Sequence, residues 1–160
     1  MLAGSVRLPV PLLPRWLRYG AVAAVAGFIF YTSIVTAPPE TVVDQVRAGT
    51  GLEEAVQLDK WRHFVAYAVL GCTLAYAAAD RELGPARSAL LVVGVTVVYG
   101  VGIELGQSTI PDRYFSVGDA LANALGGALA LCWFGLERYV SYVPLGDFLD
   151  RVPHGGLLER

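Results

Sequence analysis

Lys60, His63, Tyr67, Glu104, Gln107, Arg113, Asp119 and Asn123 sit within or at the edges of apolar runs, and they carry the groups that could do chemistry. Their spacing is helical. His63 and Tyr67 are four residues apart, Glu104 and Gln107 three, Asp119 and Asn123 four, so each set shares one face of a helix. A charge at a bilayer centre costs on the order of 2.5 to 3.5 kcal/mol even on mild scales, which makes Glu104 a group that must pair or protonate. Glu104 and His63 are the candidate catalytic residues, either one as general base, with Lys60 and Arg113 able to stabilise developing negative charge. No activated serine or cysteine and no phosphate loop accompanies them.

Each group also has a structural explanation. Lys60, the chain's only lysine, could snorkel from an interface, and Arg113 could staple the outer loop to Asp119 or Glu104. Ser116 and Asp119 fit the S-x-x-[DE] capping box that closes a helix N-terminus. Asn123 lies one turn deeper and needs a partner inside the fold, for which Gln107 is the expected residue. His63, Glu104 and Asp119 are chemically able to bind a metal, but no ligand-spacing motif supports it, so neither metal nor cofactor is expected. Lys60, Arg62 and Arg113 face Asp59, Glu104, Asp112 and Asp119, a nearly balanced cluster. Such a cluster suits a zwitterionic or hydroxyl-bearing headgroup better than a phosphate.

The elements that must position these groups follow from composition. With 160 residues, 55% of them hydrophobic and 16% charged, and a mean hydropathy of +0.53, the chain has too few charges to clothe a soluble surface. An all-α, polytopic four-helix membrane bundle is expected, with helices over about 19–37, 61–79, 86–108 and 117–136. A basic arm with Pro9, Pro11 and Pro14 occupies residues 1–18, and a polar tail residues 137–160. The first apolar run is longer than a signal-peptide core and is followed at once by Pro38, so it reads as an uncleaved span. Asp59 is placed to cap the second helix. Gly102 and Gly106 form a G-x-x-x-G, and Gly118, Ala122, Gly126 and Ala130 a small-residue row on the fourth helix. Cys72 and Cys132 lie in apolar runs without a C-x-x-C neighbour and receive no role.

Counting Lys and Arg sets the orientation. Arg7, Arg15, Arg18, Arg81, Arg87, Arg138, Arg151 and Arg160 fall on the side of both termini, which is therefore expected to be cytoplasmic in the cell membrane. The polar groups of the second, third and fourth helices then meet at one level, in the outer leaflet.

Read in order, Asp59-Lys60-x-x-His63-Phe64-x-x-Tyr67, Glu104-x-x-Gln107, Arg113, Asp119-x-x-x-Asn123 and Gly126-Gly127 resemble the VanZ-like family of small membrane proteins, over roughly residues 59 to 132. Asp112 stands where that pattern expects a small residue. The family is named for a protein associated with teicoplanin resistance, so the resemblance implies a multi-pass membrane protein near antibiotic-like or lipid-linked molecules. The leading expectation is an outward-facing polar pocket that binds a lipid headgroup or another amphiphile. The alternatives are an enzyme acting on a lipid phosphate and a purely structural bundle. Membrane lipids or an amphiphile are the expected partners, with a homo-oligomer left open; nucleic acid is not implied by a net charge of -2.

Overall fold

A computed structural model describes residues 7–36, 52–111 and 113–151 of the chain. β1 (Leu8–Leu12) leads into α1 (Arg15–Phe30), which ends in a π-helical turn over Tyr31–Val35. There follow α2 (Leu52–Ala77), α3 (Pro85–Gln107), α4 (Val117–Ala128) and α5 (Ala130–Leu136). A 3-10 turn at Glu137–Tyr139, β2 (Val140–Pro144) and α6 (Leu145–Arg151) complete the order.

Local chemistry sets most of these boundaries. Pro85 opens α3, where its missing N–H is not needed, and Pro111 lies just beyond the end of that helix. Ser116 caps α4, its Oγ accepting the Asp119 N–H at 3.2 Å. At Leu129 the helix tightens for one turn, with bonds from Leu129 N to Gly126 O and from Cys132 N to Leu129 O, so the expected fourth helix is divided into α4 and α5. The Gly126-Gly127 pair just ahead of this turn is a usual cause of such a break. The second helix begins at Leu52 rather than near residue 61, so Asp59 lies inside it and is not its cap. Asp112 lies outside the described residues.

The helices pack around α2, which contacts α1, α3, α4 and α5. Small residues permit the closest approaches. A Cβ at Gly126 would stand 2.2 Å from the Phe64 carbonyl oxygen, one at Gly127 2.6 Å from Thr96 Cγ2, and one at Gly71 2.9 Å from the Gly127 carbonyl. Here the expected row on the fourth helix is the contact surface. The G-x-x-x-G of α3 is not: among the described residues, Gly102 has open space around it and Gly106 meets only Ile34. Gly100 takes that part, its Cα facing Tyr67 and Asn123.

The bundle is apolar outside, and its apolar core, built on Ile29, Leu70, Val92 and Ile103, also encloses several polar side chains. Trp16, Phe28, Leu90, Val98, Leu121 and Leu125 are exposed, whereas Arg18, Thr96, Glu104 and Asn123 are buried. Among the described residues, Arg15–Val35, Pro85–Gln107 and Val117–Tyr139 are each long and apolar enough to cross a membrane. α2 is not one of these three; Lys60, Arg62 and His63 lower the hydropathy of its first half.

Among the described residues, the arm and tail hold the one departure from an all-helical chain. β1 and β2 pair in parallel, from Leu8 with Val140 to Leu12 with Pro144. Pro9 and Pro11 fall on alternate positions, and the Pro11 carbonyl turns away from β2 to accept the Tyr76 hydroxyl at 2.8 Å. On that outer edge a proline's missing N–H breaks no ladder bond. Prolines that forbid a helix are thus compatible with a two-stranded edge.

Candidate functional site

The site is built where the first half of α2, the end of α3 and the start of α4 meet. Lys60 Nζ forms an ion pair with Asp119 Oδ1. One turn further along α2, His63 Nδ1 lies 3.0 Å from Asn123 Oδ1, one turn further along α4. A three-residue step on α2 and a four-residue step on α4, each about one helical turn, therefore produce two stacked polar rungs. Gly118 allows the upper rung, since a Cβ there would meet Lys60 Cε at 2.6 Å and Nζ at 2.7 Å.

Glu104 reaches the same point from α3. Its Oε2 accepts the Ser116 N–H at 3.3 Å. In a complete capping box the third residue's carboxylate returns to the cap's own N–H. Here Glu104 fills that role, which leaves the Asp119 carboxylate to Lys60. One nitrogen of His63 and one oxygen each of Glu104 and Asp119 lie within 4.8 Å of one another.

Beneath the rungs the side chains are closely buried. Tyr67, Glu104 and Asn123 are each 1% exposed. Tyr67 Oη, Glu104 Oε1 and Asn123 Nδ2 are buried and make no hydrogen bond of normal geometry among the described residues. Leaving such an atom unsatisfied costs about 1–3 kcal/mol, and more when it is charged. α2, α3 and α4 each contribute one such atom to the cluster.

Gln107 stands apart from the rungs. Gln107 bonds the Ser33 carbonyl at 3.2 Å, tying α3 to the end of α1, so His63 and not Gln107 is the partner of Asn123. Arg113 is half-buried in the connection between α3 and α4, its N–H bonded to the Ile110 carbonyl.

All eight candidate residues lie within residues 20–136, the stretch matched by the family model described as VanZ/LLP1. The chain belongs to the VanZ/LLP1 family. With the family and the apolar helices together, it is a VanZ-like membrane protein. No curated protein and no solved structure matches it.

Two features of this VanZ-like chain are not signalled by polar spacing. Lys60, Trp61, Phe64, Gly118, Leu121, Ala122 and Leu125 line a groove of about 370 Å³ on the outer face between α2 and α4. Only the i, i+3, i+4 recurrence of bulky residues on the faces opposite the polar ones could have pointed to it. At the other end of the bundle, Arg18 is 2% exposed, its guanidinium bonded to the Leu13, Tyr76 and Ala77 carbonyls and to both oxygens of Asp80. It closes the C-terminus of α2, where free carbonyls favour a cation. Arg15 adds a second ion pair to Asp80 at 2.7 Å. These guanidiniums, Arg18's hydrogen bonds above all, hold the Asp80 carboxyl well below the usual carboxylate range against the opposing effect of burial.

Proposed function

We propose that this protein is a multi-pass protein of the cell membrane, both termini cytoplasmic, that holds an amphiphile at the level of the outer leaflet. The observation that carries the reading is the groove between α2 and α4, with Lys60 among its otherwise apolar lining. Phe64, Leu121 and Leu125 offer an acyl chain a continuous apolar wall, and Trp61 is an interfacial residue by type. The Lys60 side chain is 38% exposed while its ammonium meets Asp119, so one cation serves both the interior rung and a headgroup above the groove. Because the cation already has a carboxylate partner, a zwitterionic or hydroxyl-bearing headgroup fits better than a bare phosphate.

Native mass spectrometry of the protein released from its membrane tests this. An amphiphile should remain bound to the wild type and be lost from Lys60→Ala and from Leu125→Trp, which fills the groove, while both variants keep the wild-type circular dichroism spectrum. Retention of the same adducts by both variants overturns the reading. Unfolding of Lys60→Ala with no adduct on the wild type favours a purely structural cluster.

A further inference from the structure

We infer that His63, Glu104 and Asp119 form a binding site for one divalent transition-metal ion, such as Zn²⁺ or Mn²⁺. The site stands independently of amphiphile binding in the groove. One imidazole nitrogen and two carboxylate oxygens, brought together from α2, α3 and α4, make a donor set of the kind those ions take. The ligand atoms lie within 4.8 Å of one another. Around a tetrahedral ion with bonds of about 2.1 Å, neighbouring ligands stand about 3.4 Å apart, so side-chain adjustments on the order of 1 Å close the site.

Two further observations point to a ligand rather than to mere proximity. Glu104, 1% exposed, commits Oε2 to the Ser116 N–H, and its Oε1, beside the Asn123 side chain, makes no hydrogen bond of normal geometry among the described residues. A buried carboxylate in that state either takes up a proton or draws a positive charge to itself. Then there is His63. In the tautomer whose Nδ1–H donates to Asn123 Oδ1, 3.0 Å away, Nε2 keeps the lone pair that a metal requires. A carbonyl oxygen on the far nitrogen is how metal-binding histidines are oriented, which makes Asn123 a positioning residue.

Lys60 is the ion's competitor. It holds Asp119 by its ammonium, and a divalent ion at the same carboxylate displaces it toward the groove. Removing that ammonium should therefore tighten metal binding, the opposite of its effect on a headgroup.

The test uses the full chain in detergent, stripped with chelator and titrated with ZnCl₂ or MnCl₂ by calorimetry, with bound metal counted by mass spectrometry. One ion per chain is expected. His63→Gln and Glu104→Gln should each lose it, and Asn123→Ala should weaken it by about 10- to 100-fold. Lys60→Gln should bind at least as tightly as the wild type, even where its amphiphile is lost. Substitution of Co²⁺ into the wild type gives a reading that no variant's folding can confuse: visible bands of low-symmetry nitrogen and oxygen coordination support the site. Absence of stoichiometric binding to the wild type, or undiminished binding by folded His63→Gln and Glu104→Gln, overturns it.

Discussion

At the scale of single residues, the polar groups divide into those whose partners the spacing anticipates and those whose partners it cannot. Ser116 with Asp119 is of the first kind; Lys60 with Asp119 is of the second, since by spacing the lysine reads as snorkelling and the aspartate as a capping residue. Removing both in a double-mutant cycle should give a coupling of about 0.5–1 kcal/mol in thermal unfolding, low for a pair because the lysine stem is part-exposed. Asp80 makes a sharper prediction. Asp80→Asn leaves the buried Arg18 cation without its carboxylate and should lower stability by about 3 kcal/mol at neutral pH. A carboxyl held low in the folded state gives stability that is complete above its unfolded value and lost as pH falls through its folded value. The gap between wild type and variant should thus persist through mildly acidic solution and close only in strong acid; a gap that closes near neutrality refutes the assignment. The Ser116 cap and the helical faces of His63, Glu104 and Asn123 are legible because they depend on intervals within one helix. Exchange of partners between helices is not: whether Asn123 meets Gln107 or His63 depends on how α3 and α4 are rotated about their axes, which no interval encodes.

At the scale of elements, helix contact is decided by where a side chain is missing. Gly126→Ala forces a methyl group against the Phe64 carbonyl, where neither backbone can yield, and should lower stability by about 1–3 kcal/mol. Gly102→Ala has open space and should be neutral or stabilising by up to about 1 kcal/mol. Unfolding curves of the two variants in one detergent compare them directly. The helices themselves could be read from runs free of charge and from Pro85, Pro111 and Ser116. The start of α2 could not, because Gly49, Gly51 and the acidic residues after them resemble a loop by composition. The strands escape notice for a related reason: five residues with two prolines form β1, and its partner lies at the far end of the chain.

At the scale of the whole molecule, the two polar clusters occupy opposite ends of α2, Lys60 and His63 near one and Arg18 with Asp80 near the other. Under the proposed orientation these are the outer and cytoplasmic ends. With Cys72 and Cys132 replaced by alanine, a cysteine at the exposed Tyr114 should react with an impermeant maleimide on intact cells, and one at Leu83 only after the membrane is opened. The reverse pattern would invert the fold in the bilayer. The pairing of β1 with β2 carries a consequence for that same bilayer. Strands that share hydrogen bonds stand on one shore of it, and a path that departs from a shore and comes back to it makes an even number of passages. α1, α3 and the α4–α5 run make three, so under the multi-pass reading α2, despite its charged beginning, is the fourth.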